Sequence, residues 1–210
     1  MPQNKRESPF EFTGGNLCLD FANTVDNFPN NRQGEPPVEL LTDYSRLLRW
    51  GEESGAISRK AAENLKRLAS DSAGNAQQIL GHAIQLRDAI YDIFCAISHR
   101  RGIPTTALAT LNKAVQHASE HAEVAHANRH FAWQWILPEH HLDSMLWPVA
   151  RAAAELLTSD ELAYVRQCAS TTCAWLFLDK TKNHRRRWCD MRICGNRDKA
   201  RRYYQRQKAG

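Results

Sequence analysis

A chain of 210 residues, 42% hydrophobic and 24% charged, holds enough apolar material for one substantial core and a small appendage. No apolar run approaches the roughly 18–20 residues that a membrane span requires, which argues against a transmembrane helix. The net charge of +5 is unevenly spread: residues 166–208 carry 13 lysines and arginines against Asp179, Asp190 and Asp198, a net +10, and the remainder is −5. A mildly acidic body with a strongly basic tail points to a polyanionic partner for the tail.

The opening residues, 1–9, are polar and expected to fray. They lack the apolar stretch of a secretory signal, so a cytoplasmic location is the expectation. Gly14 and Gly15 mark a turn ahead of an apolar stretch, Leu17 to Val25, whose periodicity leaves strand and short helix both open. Within it, Asp20, Asn23 and Thr24 need partners if buried, either backbone groups or a bound ligand, and are carried forward as candidate ligand-binding residues. Residues 26–37, rich in asparagine, proline and glycine, read as a loop.

From about residue 38 the pattern turns helical. Leu40, Leu41, Tyr44, Leu47 and Leu48 repeat at three- and four-residue spacing, with Gly51 or Gly55 as the stop. Ser58 caps a second helix through Ala62, Leu65 and Leu68. A third runs from about Ala76 to His99, and Gly102 and Pro104 end it. Thr105 or Thr106 caps a fourth, through Leu111 and Ala118. Phe131, Trp133 and Trp135 alternate as a short half-buried strand, with the tryptophans read as core rather than pocket lining. A fifth helix takes Leu142 to Leu157. Residues 1–160 therefore read as one mainly helical domain with a few short strands, and 161–210 as a separate small module.

Four of the six cysteines fall within 27 residues as two identical pairs, Cys168-x4-Cys173 and Cys189-x4-Cys194, fifteen residues apart. Each pair can reach one metal from a single tight turn, and two such turns complete a tetrahedral shell. Four thiolates with no open position suit one structural Zn²⁺. Disulfides, which need an oxidising compartment, and iron–sulfur ligation are the alternatives. Cys18 and Cys95 read as ordinary buried thiols.

Between the pairs, Trp175–Leu178 reads as a strand, 179–184 as a turn, and Arg185–Trp188 as the antiparallel return; a helix opens at Gly195-Asn196. Knuckle, hairpin, knuckle and helix make a treble-clef-like module, with the last ligand at a helix start. A module so small is expected to take its folding energy from the metal. Lys180, Lys182, Arg185, Arg186 and Arg187 on the hairpin, with Arg197, Arg201, Arg202 and Arg206 on the helix, are the candidate nucleic-acid contacts. His117, His121, His126 and His130 include a metal-capable pair four residues apart. No carboxylate pattern completes a site, and surface histidines are the preferred reading.

These residues also carry a resemblance. Cys173-Ala-Trp-Leu-Phe-Leu-Asp179, Asn183, Arg186-Arg-Trp-Cys189, Met191 and the tetrad Cys194-Gly-Asn-Arg197 resemble the CGNR zinc finger over about residues 166–206. Gly14 to Thr24 resembles the opening signature of the ABATE domain that precedes this finger in the family. The resemblance implies a bacterial, stress-induced transcription regulator: a helical sensor or dimerisation body carrying a DNA-binding finger. The expectation is therefore a DNA-binding regulator, not an enzyme, with a small-molecule effector and a homodimer as further expectations. The alternative is a zinc-stabilised adaptor for RNA or protein. No phosphate loop or nucleophile elbow points to catalysis.

Overall fold

The computed structural model describes residues 8–26, 37–127 and 129–208. The loop expected at 26–37 lies almost wholly outside the described residues, as do most of residues 1–9. The stretch left open between strand and helix is a helix, α1 (Leu17–Ala22), capped by Asn16, whose side chain accepts from the Cys18 amide. A two-residue ribbon follows, β1 (Val25–Asp26) with β2 (Val38–Glu39).

The helix expected from residue 38 starts later, as α2 (Tyr44–Glu53), because Asp43 caps it by accepting from the Arg46 amide. Ser58 caps α3 (Arg59–Asp71) as expected, accepting from the Ala61 amide. The central element is α4 (Ala73–Ser98), whose 26 residues span about 39 Å. Pro104, rather than Thr105 or Thr106, occupies the N-cap of α5 (Thr105–Glu120). The last body helix, α6, runs Leu146–Leu157; a short 3-10 turn at Pro138–His140 occupies the chain just before its expected start. Pro148 sits in its first turn, where its missing N–H breaks no bond.

Two strands stand between α5 and α6 where one was expected. β3 (Ala122–Ala127) pairs antiparallel with β4 (His130–Trp135), setting Trp133 opposite Val124 and Phe131 opposite His126. The half-buried reading holds only at Trp135, which packs on Trp147 with ring centroids 5.9 Å apart; Phe131 is 76% exposed and Trp133 58%. Arg151 of α6 lies over the Trp133 ring at 4.6 Å, leaving a groove beneath the hairpin instead of close packing.

The core runs through both halves of the molecule. Phe21 and Trp50 meet at 4.8 Å in a cluster with Leu47, Leu65, Ile90 and Phe94. The same cluster takes in Trp175, Leu176, Phe177 and Leu178 from the cysteine-rich region. Arg87 is the buried charge of α4, and its guanidinium is held by Glu39 at 2.6 and 2.7 Å and by Asp88. A buried cation must be paired in this way, and the pair ties β2 to α4.

Candidate metal centre and nucleic-acid interface

The cysteine-rich region begins with β5 (Val165–Gln167) and β6 (Leu176–Leu178), paired antiparallel with Gln167 opposite Leu176. The strand partner of 176–178 thus lies upstream, not at 185–188. The expected return at Arg185–Trp188 is irregular chain, touching the hairpin through the Ala169 amide, which donates to the Arg187 carbonyl at 2.8 Å. The physical reason is burial. Val165 and the whole of β6 face the body's core, whereas Arg185 and Arg187 are too polar to follow.

Three polar groups of the body seat this hairpin. Asn23, 2% exposed, donates through Nδ2 to the Leu176 carbonyl and accepts from the Leu176 amide, both at 2.8 Å. Trp175 Nε1 donates to the Val25 carbonyl, and the Leu178 amide donates to the Gly14 carbonyl. Gly14 is required for space as well, since a Cβ there would lie 2.9 Å from the Asp20 amide nitrogen. The residues set aside for a ligand are thus used structurally. Asp20 accepts from the Gly14 amide at 2.7 Å, Thr24 donates to the Phe21 carbonyl at 2.8 Å, and Asn23 holds β6. Burial pushes the Asp20 carboxyl up to about 6, against the Gly14 hydrogen bond, which lowers it.

Cys168 and Cys173 flank the β5–β6 turn. Cys189 follows the irregular segment, and Cys194 lies in a π-type turn, Met191–Gly195, that opens into α7 (Asn196–Lys208). Their four sulfurs lie within 4.8 Å of one another, and the cysteines are free thiols. Cys189 Sγ is 3.7 Å from the sulfurs of both Cys173 and Cys194. A tetrahedron of Zn–S bonds near 2.3 Å sets its sulfurs about 3.8 Å apart, whereas a disulfide needs about 2 Å. The donor set fits zinc. Hydrogen bonds from Cys173, Cys189 and Cys194 push the Cys168 thiol down, and the bond with Cys168 pushes Cys173 up. Among the described residues the four cysteines are the group that brings three or more ligand atoms together. His117 instead pairs with Asp143 at 2.6 Å, and His121 stacks on Trp147 at 4.1 Å.

The tetrad Cys194–Arg197 has a local account. Cys194 is a ligand, and Gly195 lies beneath the Met191 side chain. Asn196 Nδ2 donates to the Arg192 carbonyl at 2.9 Å, and Arg197 Nη1 donates to Thr172 Oγ1 at 2.9 Å, joining the second knuckle to the first. Asp190 fastens the π-type turn by accepting from the Arg192 and Ile193 amides.

Asp179 organises the chain between the knuckles. Fully buried, it accepts from the Thr181 amide and hydroxyl through one oxygen and from the Arg186 amide through the other. Burial pushes its carboxyl up, but these hydrogen bonds outweigh it and hold the group below the usual carboxylate range. A depressed folded value means stability present above the unfolded value, about pH 4, and lost as pH falls through the lower folded one. The stability gap between the protein and its Asp179→Asn variant should therefore be constant from pH 7 to about 4 and shrink below. Denaturant titrations across that range read it, and a gap that does not change with pH would refute the assignment.

The candidate nucleic-acid contacts divide by geometry. Lys180, Lys182, Arg185, Arg187, Arg197, Arg202 and Arg206 are exposed. Arg186 is committed elsewhere: its guanidinium lies 4.5 Å over the Phe177 ring and donates to the Trp188, Cys189 and Thr13 carbonyls. Arg201 is half-buried, bonded to Thr171 and Asp198, and Arg202 pairs with Asp198 at 2.6 Å. Arg197 has the acidic Glu11 and Asp26 nearby, which offset part of its charge. Arg192, with a side chain 91% exposed, and Lys199 extend the basic surface beyond the residues picked from sequence. Their signal was present in the charge count but not in any spacing. Tyr203 and Tyr204 are 60% and 65% exposed, so they do not pack back on the module.

No helix of the described residues is long and apolar enough to cross a membrane. None of the curated proteins compared matches this chain. Two family models do: the CGNR zinc finger over residues 164–207, and ABATE, "putative stress-induced transcription regulator", over 15–160. The chain belongs to the ABATE family, with a CGNR zinc finger at its C-terminal end.

Proposed function

We propose that this protein is a DNA-binding transcription regulator whose finger holds one structural zinc and offers a rigid cationic surface to DNA phosphates. The observation that carries the proposal is the setting of the exposed cations. Lys180, Lys182, Arg185 and Arg187 follow one knuckle and Arg197 and Arg206 follow the next, on chain anchored by four converging sulfurs. Backbone anchored in this way need not be ordered on meeting phosphate, and each phosphate neutralised releases counterions.

The helical body is the sensing part of the proposal and carries no catalytic role in it. A second copy of the chain is its proposed partner, covering the exposed aromatic face of the β3–β4 hairpin, because two strands alone do not make a stable sheet. Sedimentation equilibrium that returned a monomer at every concentration would remove this element.

The test is anisotropy of labelled duplex DNA against single-stranded RNA of equal length, titrated with salt. Duplex DNA should bind more tightly, with log affinity falling linearly against log salt. Changing Arg185 and Arg187 together to alanine should shallow that slope by about 1–2, since each phosphate contact contributes about 0.9. Tighter binding of RNA would favour an RNA adaptor instead. A slope unchanged in the double variant would show that these arginines do not meet phosphate.

A further inference from the structure

Asp20, Asn23 and Thr24 are hydrogen-bonded within the fold, Asn23 to the finger at Leu176 and the other two to Gly14 and Phe21 of the body, and the body offers a second place for an effector. Between α4, α5 and the start of α6 lies a cleft of about 670 Å³, the size that holds small organic ligands. Ile79, Leu86, Ala114, Leu146 and Trp147 give it apolar walls.

Its lining carries one carboxylate, Asp143, and one ammonium, Lys113, and only the ammonium is left without a partner in the lining. Asp143, the carboxylate of the lining, is already engaged: it accepts from the Trp147 indole N–H at 3.0 Å and from His117 at 2.6 Å. Lys113 on α5 and His82 on α4 also line the cleft and are exposed at its rim, where Gln85 and Thr110 add neutral hydrogen-bonding groups. An apolar cleft whose carboxylate is occupied and whose rim offers an ammonium complements an apolar molecule bearing one anionic group. We infer that this cleft binds a small amphipathic carboxylate, its apolar part among Leu86, Leu146 and Trp147 and its anionic end at Lys113.

The position suits a sensor. Helix α4 lines the cleft with Ile79 to Leu86. Further along, Tyr91 of the same helix donates its hydroxyl to the Ala174 carbonyl at 3.1 Å and accepts from Gln167 at 2.8 Å. One helix thus touches both the cleft and the β5–β6 hairpin of the finger.

The inference rests on the sensing role proposed for the body, and its test is run without DNA, so that either can fail alone. The probe is 2-naphthoate, with 2-naphthamide as its uncharged isostere, titrated calorimetrically into the zinc-loaded full chain. Saturable binding of one naphthoate per chain is expected, with the amide weaker by about tenfold or more, as the loss of one charge-assisted hydrogen bond gives. Lys113→Gln, at an exposed position, should remove that preference. Thr110→Trp, which fills the cleft from its half-exposed rim, should abolish binding of both compounds while zinc content and helicity are kept. Absence of saturable naphthoate binding, equal affinity for the amide, or undiminished binding to Thr110→Trp would each overturn the assignment.

Discussion

Changing Cys189 to serine should strip the protein of its zinc while leaving the helical body folded. Cys189 is the sulfur in contact with two others, and its amide also points at the Cys168 sulfur from 3.5 Å. A serine oxygen is a harder and less acidic donor, and three thiolates leave the tetrahedral shell open. Apparent binding energies of structural zinc sites are about 10–16 kcal/mol, so losing one ligand of four should cost orders of magnitude in affinity. The consequence is local. Strands β5 and β6 remain seated by Asn23, Trp175 and Gly14, whereas the segment from Asp179 to α7 keeps few buried apolar contacts besides the cysteines. Metal analysis should fall from the proposed one zinc per chain to a small fraction. Hydrogen exchange should rise sharply in residues 184–208 and little in α4 or α6. The DNA affinity proposed for the finger should fall with the metal. Zinc retained at the original stoichiometry would mean that the ion is held by another ligand set.

How far the sequence could be read follows from where the information lay. Helices α3, α5 and α6 were legible because each buries one stripe against the core, and such stripes recur at three and four residues whatever the neighbours do; α4 was legible by its length and apolar content, since from Leu86 to Ala96 it is buried on nearly every side. The cysteine ligands were legible because a tight turn dictates their spacing. The hairpin partner inside the finger was not. Val165–Gln167 precedes the first cysteine and carries no strand signature of its own, and its pairing is selected by the body's core. Strand β3, Ala-Glu-Val-Ala-His-Ala, has the composition of a helix and becomes a strand through its partner β4. Arg186 looked like its neighbours at 185 and 187 in composition. Only the placement of Phe177 and the surrounding carbonyls separates a guanidinium that staples the knuckle from two that face solvent. Likewise Asn23 and Asp20 were visible as polar groups in an apolar stretch. Their partners lie at Leu176, 153 residues distant, and at Gly14, which no local pattern announces.

That long-range pair sets the other large effect. The Asn23 amide reproduces, with a side chain, the two hydrogen bonds that a neighbouring strand would give to Leu176. Asn23→Ala would leave a buried N–H and a buried C=O bare. Each such group costs about 1–3 kcal/mol, so the change should cost about 2–6 kcal/mol, against total stabilities of about 5–15 kcal/mol. At about 2–4 °C per kcal/mol for a chain of this size, the melting temperature should drop by roughly 5–20 °C. Thr24→Val is the matched control. It removes a single buried bond, from the Thr24 hydroxyl to the Phe21 carbonyl, while keeping the shape, and should cost about 1 kcal/mol. The two alternatives once open for Asn23 differ here. A residue kept for a ligand would cost little stability when no ligand is present, whereas one that fastens the finger to the body must cost more than its neighbour. The Asn23→Ala protein should also expose β6 to hydrogen exchange before the helices, because that strand's outer edge is what the amide covers. A melting temperature lowered no further than in Thr24→Val would show that the finger is seated by its apolar contacts alone.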